Sequence, residues 1–246
     1  MPEAIYDGIG EGYAVRRRAD PRIASLIVSA LGDASTVVNV GAGAGSYEPT
    51  DRTVQSVEPS QMMIRQRPAG AASCLLGSAE SLPFEANAFD AAMAILTIHH
   101  WTDWRAGLEE MRRVARRRIV LLTFDAEASD FWLMRDYFPD LMTLDRQIMP
   151  TLSELAKELG EFQATPVLVP HDCQDGFLGA FWRRPEVYLD PVARGAMSSF
   201  ARIDAQDGLK QLAADLDSGA WRERNAELLG LEGFDVGYRL LRWDAD

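Results

Sequence analysis

Three glycines alternate at Gly41, Gly43 and Gly45 directly behind the short β-branched run Thr36-Val37-Val38-Asn39-Val40. Such a run reads as a buried strand, and glycines at its end let backbone approach a ligand closely while the turn beyond presents N–H groups toward negative charge. An adenosine-bearing ligand is the expected occupant. Dinucleotide sites want G-x-G-x-x-G ahead of a helix, whereas here Ser46-Tyr47-Glu48-Pro49 stands where a pyrophosphate-binding helix would begin. A pyrophosphate therefore fits poorly. Glu58 closes the next β-branched run, and a carboxylate at that point can accept both hydroxyls of a ribose in dinucleotide and nucleoside sites alike.

The three histidines of the chain, His99, His100 and His171, each follow an expected strand. In a parallel sheet those strand ends open on the same edge as the glycine loop, where ligands of open α/β folds bind. Imidazole titrates near neutrality, so His100 is the first candidate for a general base and His171 the second. The plainer reading has His99 facing the core and His100 bonding to backbone. A metal site from His99, His100 and His171-Asp172-Cys173 lacks a second spaced pair of ligands, and no metal is expected.

Elements must hold these residues in place. Asp20-Pro21 ahead of Ile23, Leu26, Ile27 and Leu31, with Gly32 behind, predicts a capped amphipathic helix. Short apolar runs at 53–57, 72–76, 89–96 and 119–124 read as further strands, and Trp104, Leu108, Met111 and Val114 share one helix face. Strands alternating with helices imply right-handed crossovers and a parallel sheet covered on both faces. The stretch 126–150 is aromatic and irregular. Thr151-Leu152-Ser153-Glu154 is a capping box, 167–169 reads as a sixth strand and 235–243 as a seventh. The expectation is an α/β, Rossmann-like three-layer sandwich with a mostly parallel seven-stranded sheet. Its core would span 1–170 plus 233–246, and a helical cap at 171–232 would be inserted between strands six and seven, over the substrate pocket.

Composition narrows the classes. With 246 residues, 47% hydrophobic and 25% charged, the chain has the make-up of a globular protein with a sizeable core. Its formal net charge of −12 repels phosphate backbones and anionic lipid, so neither nucleic acid nor membrane is an expected partner. Arg112, Arg113 and Arg116 to Arg118 fit a solvated helix end, where cations complement the dipole. The two cysteines, Cys74 and Cys173, are too few for a disulfide framework, and no leader-like segment or long apolar run is seen; a cytoplasmic location is expected.

Taken together, VVNVGAGAGSYEP (37–49), VEPSQMM (57–63), GSAESLPFEANAFDAAMAILTIHHW (77–101) and LEEMRRVARR (108–117) resemble the class I S-adenosylmethionine-dependent methyltransferases of the type 11 subgroup. Residues 6–31 are similar to the lid helix and first helix of that subgroup, and the likeness runs in order through about residue 170. It implies that Gly41, Ala42 and Gly43 wrap the methionine part of S-adenosylmethionine and that Glu58 holds the ribose. It further implies that Pro59 and Met63 sandwich adenine, that Ser78, Ala79 and Glu80 lie at its edge, that Leu96 borders the cofactor, and that Tyr13 and Arg17 close over its carboxylate. Two positions depart from the pattern. Asn39 stands where an acid often precedes the glycines, and Ser78 where an Asp often receives the adenine amino group; each removes a charge-assisted hydrogen bond and lowers the expected affinity.

The implied activity is methyl transfer to oxygen, nitrogen or carbon of a small molecule, with a weak preference for secondary metabolism. The cap offers Phe177, Phe181, Trp182 and Tyr188 as an apolar wall and Arg183 and Arg184 as cationic hooks, against a plain reading as a small helical core. The alternatives are a nicotinamide-dependent reductase or epimerase on a related fold, and a non-catalytic module that binds S-adenosylmethionine. Against the former stand the glycine spacing and the lack of a Tyr-x-x-x-Lys pair, since Lys157 and Lys210 are the only lysines.

Overall fold

The structure is a computed structural model, and it describes residues 16–245. Helix α1 (Pro21–Leu31) starts where the sequence demands: the Asp20 side chain accepts the Arg22 N–H, and Gly32 ends it at φ 57. Strand β1 (Thr36–Val40) pairs in parallel with β2 (Thr53–Glu58) and with β4 (Phe89–Ile95). Outside β2 lies β3 (Ser73–Leu76), and outside β4 lies β5 (Ala115–Phe124), both parallel to their neighbours. Helices α2 (Gln61–Arg65) and α3 (Trp104–Val114) make the β2–β3 and β4–β5 crossovers. No helix joins β1 to β2. Residues 41–52 run through turns, as glycines, Pro49 and charged tips dictate.

The sheet has the order β3-β2-β1-β4-β5-β9-β6, and β9 (Tyr238–Asp244) runs antiparallel between β5 and β6 (Gln163–Pro166). The sixth strand thus differs from the expected 167–169. Every residue of β6 is exposed, so it carries no apolar signature, and its proline is tolerated because the strand is an edge. Leu168 is 57% exposed, while β7 (Val169–Pro170) leaves the sheet to pair with β8 (Gly233–Phe234) in a two-stranded ribbon. The helical segment 171–232 departs and returns through that ribbon. The seventh strand begins later than expected because Asp235 accepts the Gly237 N–H in a turn.

Alternation along the central strands separates two cores. Val37, Ala91, Met93, Val120 and Leu122 face α1, the aromatic stretch Phe131, Trp132, Tyr137 and Phe138, and residues of 171–232. Val38, Ala92, Ala94, Ile119 and Leu121 face α3 and α5 (Leu152–Leu159), the latter opened by the expected Thr151–Glu154 capping box. Helix α4 (Pro139–Ile148) lies between the aromatic stretch and α5 in the chain. The segment 171–232 also holds α6 (Pro191–Arg194), α7 (Gln206–Ser218) and α8 (Ala220–Arg224). Arg116 to Arg118 are a correction: α3 ends at Val114, and these arginines open β5, where they pair with Asp90, Asp33 and Asp244. No described helix is long and apolar enough to cross a membrane.

Candidate active site

Behind β1 the backbone turns left-handed at Gly41, with φ 68, and a Cβ there would run into the Thr97 side chain. The Gly41 and Ala42 N–H groups both donate to the Val57 carbonyl, at 2.9 and 3.1 Å, which binds the loop to the end of β2. Glu58 sits at that end, 4% exposed. It accepts the Gly43 N–H at 2.8 Å and the Ser60 N–H at 2.9 Å, so the carboxylate is aimed at the glycine turn by charge-assisted bonds. Met63 is buried with its methyl group beside Gly43, while Pro59 is exposed at the rim.

Asn39 gains a partner that the sequence reading lacked. Its amide donates to Glu48, whose carboxylate is gripped by Arg67 at 2.6 and 2.7 Å, and Arg67 also donates to the Gly43 carbonyl at 3.3 Å. Both members of the ion pair are buried. An acid is therefore present behind the glycines, supplied from nine residues along the chain and neutralised by a cation that props the turn.

On the neighbouring strand, Leu96 leaves β4 with φ 53, a conformation costing a branched side chain about 1 kcal/mol or more, and its N–H donates to the Leu122 carbonyl. The kink delivers Thr97 and a 3₁₀ turn, Ile98–His100, to the carboxyl edge of the sheet. The His99 and His100 rings lie with centroids 3.9 Å apart, tilted by 47°. Burial pushes both imidazoles down, His100 to about 4, with Arg202 and Arg17 adding to the effect. Both are neutral at pH 7, able to donate or accept a hydrogen bond but weak as bases.

Leu96, His99 and His100 line a cleft with about 520 Å³ of free space, its open mouth included. Phe124 and Tyr238 form its floor from β5 and β9, and Phe177, Leu178 and Met197 reach it from the 171–232 segment. Arg17 lines it too, bonded to the buried Asp175 at 2.7 Å; Tyr47 of the glycine turn donates to the same carboxylate at 2.9 Å. Arg17 is thus engaged with the 171–232 segment, and Tyr13 falls outside the described residues. Asp145 of α4 completes the cleft. Burial lifts its carboxyl to about 7 against the opposing pull of Arg202.

The structure brings His99, His100, Leu96 and Arg17 together and leaves His171 apart. His171 follows β7, outside the main sheet, with Nδ1 3.6 Å from Asp172 and 4.0 Å from Glu232, and it does not line the cleft. Glu80 is turned to another task, accepting the Thr102 and Asp103 N–H groups ahead of α3. Ala79 packs near Gly107 of α3, and the Ser78 carbonyl accepts the Ser81 N–H. Of the cap residues only Phe177 reaches the cleft with its ring. Trp182 and Tyr188 are core, bonded to the Val169 and Leu178 carbonyls, and Arg183 and Arg184 are not cationic hooks but ties to the carbonyls of Leu229, Leu231, Cys173 and Ala180. Asp145 and Asp175 escaped sequence reasoning. The first had a signal: an acid four residues after Leu141 and four before Met149 interrupts an apolar helix face.

Residues 38–123 match a family described as the methyltransferase domain. The chain is similar to a solved structure of a protein assigned as a methyltransferase from an antibiotic biosynthesis pathway in Anabaena variabilis ATCC 29413. Identity is 35%, 92% of this chain and 98% of that one are covered, and the TM-score is 0.85. It is similar over 118 residues, at 30% identity, to 2-methyl-6-phytyl-1,4-hydroquinone methyltransferase 2, chloroplastic, of Oryza sativa subsp. japonica, covering 44% of this chain and 34% of that one. A further likeness, 33% over 122 residues, is to tRNA (carboxymethyluridine(34)-5-O)-methyltransferase alkbh8 of Xenopus tropicalis, covering 46% and 19%. This chain spans about a third or less of the length of these curated relatives.

Proposed function

The chain belongs to the S-adenosylmethionine-dependent methyltransferases, and from that premise we propose that it moves a methyl group onto an oxygen, nitrogen or carbon atom of a small molecule held in the cleft. Bound S-adenosylmethionine supplies an electrophilic methyl on sulfonium sulfur. The chain's part is to hold, orient and keep dry. The left-handed turn at Gly41 and Gly43 keeps side chains out of the loop, and Glu58, its carboxylate aimed at that turn, is the group we read as meeting the ribose hydroxyls. Those residues fit the cofactor. Thr97 of the turn behind β4 packs against Gly41, and its neighbours Leu96, His99 and His100 line the cleft, where His100 orients an acceptor by a hydrogen bond.

The observation that carries this reading is the cleft's position: one wall is the turn behind β4 and another is the 171–232 segment, which we read as a cap on a methyltransferase core. The 171–232 wall is mainly apolar, with Phe177, Leu178, Ala196 and Met197, and the β4 wall adds Leu96 beside two neutral imidazoles, as suits a small organic acceptor. A natural-product acceptor is supported by the likeness to the Anabaena protein. Two unpaired cysteines suit a reducing cytoplasm. Calorimetry tests the cofactor half: micromolar binding of S-adenosylhomocysteine with none of NAD(P)H is expected, and the reverse pattern overturns the reading. An acceptor screen with labelled methyl donor tests the rest.

A further inference from the structure

Asp145 is the least explained polar group in the described residues. It is 3% exposed on the inward face of α4, and its Oδ1 has no hydrogen-bond partner. A buried carboxylate without donors is costly, and an apolar residue continuing the Leu141–Met149 face would be more stable there. The side chain nevertheless lines the cleft beside His99 and His100.

Every charged or titratable group facing Asp145 is accounted for. Arg17, ahead of α1, is bonded to Asp175. His99 and His100, behind β4, are held neutral by burial. The Tyr238 hydroxyl, from β9, is pushed far above its ordinary range. Arg202, at the end of the 3₁₀ turn Ser198–Arg202, is exposed to solvent and acts on Asp145 only through its field. Donors line the cleft, Ser198, Ser199, Tyr238 and the two imidazoles among them, yet none of them bonds to the Asp145 Oδ1.

We propose that Asp145 is the acceptor-binding group of the cleft, taking a hydrogen bond from an N–H or O–H on the reacting atom of a small amine or alcohol and receiving that proton as the methyl group is transferred. The proposal rests on the methyltransferase reading. In the step, a lone pair of nitrogen or oxygen forms the bond to the methyl carbon. The sulfur–methyl bond breaks with its electron pair left on sulfur, and the acceptor's proton passes to the carboxylate. An acid poised at about 7 holds that proton well and is still ionised enough at neutral pH to be ready for it. The same charge turns away anionic acceptors.

Four probes of one shape test this: benzylamine, benzyl alcohol, benzoate and toluene, each titrated by NMR into the full chain at pH 8, with and without S-adenosylhomocysteine. Benzylamine should bind about tenfold or more tighter than toluene or benzoate, with benzyl alcohol between. Asp145→Asn, which keeps the shape, should erase the preference while leaving S-adenosylhomocysteine affinity within about threefold; Asp145→Ser should do the same. In the wild type the benzylamine preference should fade from pH 8 to pH 6, and in Asp145→Asn it should be flat. Benzoate binding as tightly as benzylamine, a preference that survives Asp145→Asn, or no binding by any probe would overturn the proposal. The expected selectivity without S-adenosylhomocysteine binding would support Asp145 and sink the cofactor reading instead.

Discussion

The two halves of the site are built by opposite means. The glycine turn and Glu58 come from one stretch of chain; backbone N–H groups and left-handed glycines do the positioning, and the bonds are local. The cleft takes one to four side chains from each of several segments, and its connections span the molecule, as in the Arg17–Asp175 pair 158 residues apart. In the first half both buried acids are bonded, Glu48 to Arg67 and Glu58 to backbone N–H groups, and the Asn39 Oδ1 is left without a partner; in the second the Oδ1 of the buried acid Asp145 has none. An unpaired buried acid costs stability, and that cost is what substitution reads.

Substitutions separate the halves by size of effect. Arg67→Ala should be the most damaging, losing about 3 to 5 kcal/mol because Glu48 is left buried and unpaired, and a large drop in melting temperature would show it. Replacing both partners by Leu should recover much of the loss. Next comes Asp145→Asn, with the opposite sign. Its folded pKa of about 7 lies above the ordinary 3.8, so between those values the native state holds a proton the unfolded chain has lost, and stability falls as pH rises through that window. At pH 8 the variant should be more stable than wild type by up to about 4 kcal/mol, and at pH 4 nearly equal, by chemical denaturation. Glu58→Gln should weaken S-adenosylhomocysteine about ten- to a hundredfold in calorimetry, with little effect on the cleft. For His100→Ala the turnover should fall while cofactor affinity stays within about threefold, and the break near 7 that Asp145 sets in the pH–rate profile should persist, since the imidazole is neutral down to about 4 and does not cause it. Arg105→Ala, at an exposed pair with Glu154 and Glu158 remote from both halves, should change stability by about 0.5 kcal/mol or less.

The same contrast governs how far the sequence could be read. The first five strands, the capped α1 and the glycine turn follow from composition and spacing within a few residues, as does the placement of Glu58 at a strand end. Strand β6 was hidden because Gln163–Pro166 is an exposed edge with no alternation to detect. Arg116 to Arg118 were assigned to a helix end since a run of cations fits a dipole as well as it fits the acids that β5 meets in three dimensions. His171 follows a short ribbon that has the composition of a sheet strand but not its neighbours. Asp175 could not be singled out at all, because nothing near it in the chain announces Arg17 or Tyr47.

That buried acid ties three pieces of chain in one knot: the irregular lead into α1 through Arg17, the glycine turn through Tyr47 and the root of the 171–232 segment through the Gly176 N–H. To swing the root outward, the molecule must also release Tyr47, and so disturb the turn 128 residues away in sequence. Holding the turn and holding the root of 171–232 are therefore linked through one carboxylate, and whatever stabilises the bonded turn stabilises the root as well.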